Sequence, residues 1–159
     1  MSEFSHLDPK GDLQMVDVSD KHVTTRTAIA AGSIRISEVV SQRLHEHAVA
    51  KGNVLAAAHA AGVLAAKRTA ELIPLCHPVL LDHIELDFEV DTHRIDIRGS
   101  VRSHGRTGAE MEALTAVSVA ALTIYDMCKA LDRTMVIEGI CLLEKSGGRS
   151  GHFRRNHDS

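Results

Sequence analysis

The sequence predicts an α+β domain of the split βαβ, ferredoxin-like kind, with an antiparallel sheet covered by helices on one face. Three observations carry this. Residues 84–90 and 95–102 alternate apolar and charged side chains with the period of half-buried strands. Residues 53–72 and 108–132 are long stretches at helical spacing, free of charge from Asn53 to Ala66 and from Ala113 to Tyr125. The elements follow in the order strand, helix pair, strand, strand, helix, strand, with an extra helix in the first crossover. A chain of 159 residues, 44% hydrophobic and 25% charged, suits one domain with a core of its own.

Each element has a local reason. Residues 24–36 are β-compatible, Ile34 and Ile36 alternating with Ser33 and Arg35. Ser37 offers an N-cap, and Val39, Val40, Leu44 and Ala48 then recur at helical spacing. The second helix runs over residues 53–72, and an apolar surface on all its sides implies burial on more than one face. Pro74 and Pro78 break the chain around Leu75-Cys76-His77. In the next strand Ile84, Leu86, Phe88 and Val90 oppose Glu85, Asp87 and Glu89. Its partner sets Ile95, Ile97 and Val101 against mostly basic positions, which fits a hairpin turning at residues 91–93. A helix over residues 108–132 and a strand over residues 134–144 complete the domain. Residues 1–15 and 147–159 are polar or Gly- and Ser-rich and read as flexible tails around a domain of residues 16–146.

Composition excludes several functions. Aromatics are only 3%, with no Trp, one Tyr and three Phe, too few for a single-strand stacking platform. A net charge of −3 argues against a phosphate-backbone binder, so no nucleic-acid partner is expected. Cys76, Cys128 and Cys141 have neither disulfide-framework nor zinc-knuckle spacing. No charge-free run reaches spanning length and no leader pattern opens the chain, so no membrane partner and a cytoplasmic location are expected.

The charges on the long helix stand out because none occurs between residues 113 and 125. On the helical wheel Ala113, Leu114, Ala116, Val117, Ala120, Ala121 and Ile124 face the sheet. Met111, Glu112, Thr115, Ser118, Leu122, Asp126 and Lys129 fall opposite, on a face whose neutrality implies cover by another subunit. Asp126 and Lys129 are helix neighbours, either a surface ion pair or an acid/base pair tuned at an interface. Thr107-Gly108-Ala109-Glu110 has the form of a capping box, which gives Glu110 a structural role, whereas Glu112 has none. Lys51, Lys67 and Arg68 are each ordinary surface cations taken singly. Lys51 and Lys67 are about 24 Å apart along a helix, so one small phosphate site using both must combine two chains. His77, flanked closely by prolines, is the histidine with the most restricted backbone. The run from Lys145 to Gly151 can wrap a phosphate or simply end the chain.

Four motifs, Met15-Val16-Asp17-Val18-Ser19-Asp20-Lys21, Leu75-Cys76-His77-Pro78, Thr107 through Thr115, and Tyr125-Asp126-Met127-Cys128-Lys129, closely resemble the MoaC family in the same order. That family comprises cyclic pyranopterin monophosphate synthases of molybdenum cofactor biosynthesis, and the resemblance runs from Met15 to Gly151. It implies a ferredoxin-like subunit in a homohexamer, a trimer of dimers with active sites between chains. It implies a lyase converting 3′,8-cyclo-7,8-dihydroguanosine 5′-triphosphate to cyclic pyranopterin monophosphate and pyrophosphate. By the same resemblance Asp126 and Lys129 are the catalytic acid/base pair. Leu75, Cys76, His77, Met111 and Glu112, with Glu110 beside them, bind substrate, while Arg26, Lys51 and Lys67 handle the triphosphate. No metal site and no cofactor are required, and Mg²⁺ would enter only on the phosphates. The rival readings are a non-catalytic, ferredoxin-like nucleotide sensor and a purely structural oligomer, neither of which needs a paired acid and base.

Overall fold

The computed structural model describes residues 4–46 and 53–156. Strand β1 (Thr24–Arg35) lies inside the sheet and turns Arg26, Ala28, Ala30, Gly32 and Ile34 toward the helices. Helix α1 (Glu38–His45) follows, with Ser37 accepting from the Val40 N–H at 3.4 Å as its N-cap. Helices α2 (Val54–Lys67) and α3 (Thr69–Leu72) lead to β2 (Leu81–Val90) and β3 (Arg94–Gly105). Helix α4 (Glu110–Cys128), β4 (Val136–Ser146) and the short β5 (Phe153–Arg154) complete the chain. The fold is α+β, a five-stranded sheet of order β2-β3-β1-β4-β5 with every neighbouring pair antiparallel.

Helix α4 packs across β1, β3 and β4, and α2 lies beside α4 and over β2. The core combines Ile34, Ile95, Ile97, Val101, Val117 and Ile124 with a series of fully buried alanines: Ala28, Ala30, Ala113, Ala116, Ala120 and Ala121. Gly62 of α2 sits where an added Cβ would be 2.9 Å from the Ala116 carbonyl and would overlap the Leu86 side chain. Alanine and glycine therefore set the separation of the two helices, and few aromatic rings are needed to fill the space.

The sequence expectations hold in outline and differ in particulars. The expected helix over residues 53–72 breaks at Arg68, because the Thr69 hydroxyl lies within hydrogen-bond reach of the Ala65 and Ala66 carbonyls (3.2 and 3.0 Å). The long helix ends at Cys128 rather than 132. Asp132 there accepts from the Ser37 N–H at 3.2 Å and the Thr134 N–H at 2.8 Å, while the Tyr125 hydroxyl donates to the Arg133 carbonyl at 3.0 Å. In the β2–β3 hairpin Asp87 stands opposite Arg98 as complementary charge predicts, yet Glu89 faces Asp96. Arg94 relieves that juxtaposition by pairing with Asp96 at 2.9 Å.

Glu112 and Thr115, assigned by the helical wheel to the side away from the sheet, are both buried. That side was expected to be covered by another subunit; within the single chain α2 already packs beside α4. Part of the C-terminal segment pairs with the sheet, and the N-terminal segment carries a local turn. Phe153 and Arg154 pair with Lys145 and Glu144, and near the N-terminus Asp8 accepts from the Lys10 and Asp12 N–H groups at 2.8 and 2.9 Å. By length and composition alone α4 suffices to cross a membrane, a point the run-length argument missed; here it is the central packed helix.

Because the Ala116 carbonyl cannot retreat from a methyl group, Gly62→Ala is expected to cost about 1–3 kcal/mol. Thermal denaturation checks this as a loss of roughly 2–4 °C in Tm per kcal/mol.

Candidate active site

Three groups of residues converge on a cleft of about 370 Å³ at the N-terminal end of α4. The first is the turn after α3, where the Cys76 N–H donates to the Ile73 carbonyl at 3.1 Å, placing Leu75, Cys76 and His77 on the wall. The second is the first turn of α4, with Glu110, Met111 and Glu112. The third brings Arg26 from β1, Lys145 from β4, and Lys21 and Arg106 from the adjoining loops. Seven residues singled out in the sequence thus share one wall: Arg26, Leu75, Cys76, His77, Glu110, Met111 and Glu112.

The groups divide chemically. Glu112 is only 3% exposed, and burial pushes its carboxyl up to about 7, with its own backbone N–H opposing and the Glu110 charge adding. Burial, and secondarily Glu112, also raises the Cys76 thiol. This part of the cleft presents a carboxyl that holds its proton more readily than usual and a neutral thiol, suited to hydrogen bonding with a polar ring edge. Asp17 is instead held below the usual carboxylate range, chiefly by the Ser19 hydroxyl at 2.6 Å and then by the Ser19 N–H at 2.9 Å.

The cationic part is held by carbonyls more than by acids. Arg26 is buried and donates from Nη2 to the Arg106 carbonyl at 3.1 Å; Arg106 Nε donates to the Lys21 carbonyl at 3.1 Å. The capping box expected at Thr107 and Glu110 does not form. Ala109 is the N-cap, without a side-chain cap bond, and Glu110 opens the helix. The reason is competition: the Glu110 carboxylate pairs with Lys145 Nζ at 3.0 Å, and that same Nζ donates to Ser150 Oγ at 2.6 Å. Lys21, Arg106 and Lys145 were not singled out as site residues. Their only sequence signals were the 15–21 motif and the Gly-rich run beginning at Lys145.

Three of the other four candidates lie elsewhere, and the fourth is not among the described residues. Asp126 and Lys129 form a 2.8 Å ion pair at the C-terminal end of α4, with side chains 62% and 52% exposed. From Glu110 to Asp126 is about 24 Å along the helix, so one chain does not join this pair to its own cleft. Lys67 ends α2 with an exposed side chain and does not line the cleft. Lys51 falls outside the described residues. Among the described residues, no three His, Cys, Asp or Glu side chains group so as to hold a metal ion.

Comparison with known proteins places these observations in a family context. The model of the MoaC family matches residues 15–148. A cyclic pyranopterin monophosphate synthase of Desulfatibacillum aliphaticivorans is 57% identical over 155 residues, covering 96% of this chain and 98% of its own length. Proteins of the same name from Roseiflexus sp. (strain RS-1) and Geobacillus thermodenitrificans (strain NG80-2) are 56% and 49% identical, covering 96% and 99% of this chain and 98% and 100% of their own.

The raised Glu112 carboxyl has a measurable consequence. It binds its proton more tightly folded than at its ordinary value of 4.5, so stability falls as pH rises from about 4.5 through about 7 and the penalty is complete above that range. Glu112→Gln removes the penalty. The variant should gain on the order of 3 kcal/mol over the parent above pH 8, a gain that disappears below pH 4.5, as Tm measured across pH 4–9 will show.

Proposed function

The chain belongs to the MoaC family, and on that premise we propose that it is a cyclic pyranopterin monophosphate synthase, a lyase of molybdenum cofactor biosynthesis. The observation carrying this reading is the cleft in which Leu75-Cys76-His77 and Glu110-Met111-Glu112 meet a cationic cluster around Arg26. One end offers hydrogen bonds to a guanine-derived ring and the other offers charge to phosphates, as 3′,8-cyclo-7,8-dihydroguanosine 5′-triphosphate requires. Glu112 and the thiol of Cys76 meet the ring edge, with Leu75 and Met111 against its faces.

Two kinds of step are needed. Opening the purine ring and rebuilding it as a pterin moves protons, the work of Asp126 and Lys129. In forming the cyclic phosphate, a sugar hydroxyl oxygen bonds to the α-phosphorus and gives up its proton to a base. The bond from that phosphorus to the bridging oxygen breaks, and its electron pair leaves on pyrophosphate, where fixed cations stabilise it. Arg26, Lys67 and Lys51 supply such charge in this reading. No redox partner enters these steps, and no resident cofactor is part of the proposal; Mg²⁺ would travel with the phosphates.

The distance between the Asp126–Lys129 pair and the cleft fits a site assembled from two chains. The subunit is ferredoxin-like in this reading, supported by the insertion of β3 between β1 and β2. It works as a homohexamer, a trimer of dimers, supported by Leu64, Leu72, Met111 and Leu122, which stand exposed on the helices of the single chain. Three cysteines outside any disulfide fit a reducing, cytoplasmic setting.

Asp126→Ala and Lys129→Ala should each lower turnover about 10²–10⁴-fold with little loss of substrate affinity, measured by product formation alongside calorimetric binding. Near-normal turnover in both removes the catalytic assignment. Assembled separately, His77→Ala and Lys129→Ala chains should be inactive; unfolded together and refolded, they should recover roughly a quarter of parental activity if each dimer has two composite sites. No recovery on mixing counts against two-chain sites.

A further inference from the structure

The Asp126–Lys129 ion pair stands on the last turn of α4 with side chains 62% and 52% exposed. An exposed pair gains little from its own attraction, because water screens it and each side chain keeps other rotamers within reach. Proton transfer, by contrast, is sensitive to displacements on the order of 1 Å. A large share of the order that the pair needs must therefore come from the backbone beneath it. Helix ends are where backbone order is ordinarily lost.

The end of α4 is tied down. Lys129 is its C-cap, still in helical conformation (φ −60°, ψ −20°), and its N–H donates to the Tyr125 carbonyl at 2.9 Å. The Leu131 and Asp132 N–H groups turn back onto the Cys128 carbonyl at 2.9 and 3.2 Å, and the Cys128 side chain is fully buried. The Asp132 carboxylate closes the arrangement. Its Oδ1 accepts from the N–H and the hydroxyl of Thr134 at 2.8 and 2.6 Å, and its Oδ2 accepts from the Ser37 N–H at 3.2 Å. Ser37 is the N-cap of α1, 95 positions earlier, so this bond ties the turn to a distant part of the chain. The Thr134 hydroxyl, and then its N–H, hold the Asp132 carboxyl below the usual carboxylate range, which makes it a charged acceptor near neutral pH. Both of its oxygens are engaged with these donors rather than with the ion pair, so any effect of Asp132 on the pair runs through the chain.

We propose that Asp132 is a positioning residue for proton transfer: by clamping the turn after α4 to the start of α1, it holds Lys129 beside Asp126 in the geometry the reaction uses. The proposal deepens the function given above and rests on it, since it takes the Asp126–Lys129 pair as acid and base. Without the carboxylate the last turn loosens and the ammonium group samples more positions. Turnover then falls, while substrate affinity, set at the cleft about 24 Å away along the helix, does not.

The test uses the full-length protein in its native assembly. Asp132→Ala should lower kcat about 10–100-fold with KM within about twofold of the parent. In Asp132→Asn one oxygen becomes a donor, so the side chain can serve Thr134 or Ser37 but not both, and kcat should fall between those of parent and Asp132→Ala. Thr134→Val removes a single hydroxyl, leaves every backbone bond in place and should cost about threefold in kcat; it carries the test if Asp132→Ala does not assemble. A double-mutant cycle identifies the route. In a Lys129→Ala background Asp132→Ala should cause no further loss, whereas a merely structural role lowers both backgrounds alike. Amide hydrogen exchange at Lys129 and Leu131 should quicken about tenfold in Asp132→Ala, with parental rates kept from Ala116 to Ala121. Equal losses in the two Lys129 backgrounds, or a change confined to KM, overturn the proposal. A parent without turnover removes the enzyme reading and the positioning role with it; an active parent whose Asp132→Ala and Thr134→Val variants keep its kcat removes the positioning role alone.

Discussion

The closeness of α4 to the sheet and to α2 is the constraint on which the rest depends. Ala113, Ala116, Ala120 and Ala121 on the helix meet Ala28 and Ala30 of β1, all without exposed surface, and Gly62 closes the other side. Such contacts leave little room for a helix to slide or roll, because each shift collides with backbone rather than with a bendable side chain. The start of α4 is therefore fixed against the start of β1, which brings Glu110, Met111 and Glu112 to Arg26. A looser core of large side chains could absorb substitutions more easily, but would hold that relationship less firmly.

From that placement follows the electrostatic character of the cleft. Two carboxylates two residues apart at one helix end meet different surroundings. Glu110 finds Lys145 and remains in a partly buried ion pair, while Glu112, turned inward, finds no cation among the described residues and retains its proton more readily. The protonation of one is tied to the pairing of the other, because Glu110 contributes to the shift of Glu112. The Lys145 ammonium is shared between the Glu110 carboxylate and the Ser150 hydroxyl, which ties the start of α4 to the turn after β4.

What could be read from the sequence was local in origin. The period-two strands, the Ser37 cap and the charge-free helix are patterns within a few residues, and the MoaC-like motifs marked most of the residues that line the cleft. What escaped notice required knowing which elements are neighbours. The burial of Glu112 within a single chain was not legible, because a helical wheel shows that a face is covered and not by what. The capping box was reasonable for Thr107 and Glu110 alone, and it failed because Lys145, 35 positions after Glu110, offers the carboxylate a stronger partner. Arg106 and Lys21 showed no charge pattern of their own, since what joins them to Arg26 is a pair of backbone carbonyls.

The poverty in aromatic residues has one further consequence. With no tryptophan in the chain and Tyr125 its only tyrosine, ultraviolet emission is dominated by a single phenol, next in sequence to Asp126 on the helix end that also carries Lys129. Its hydroxyl is tied to the Arg133 carbonyl where α4 terminates. The protein thus contains its own optical label, unmixed with any other tyrosine or tryptophan, at the helix end to which proton transfer is assigned.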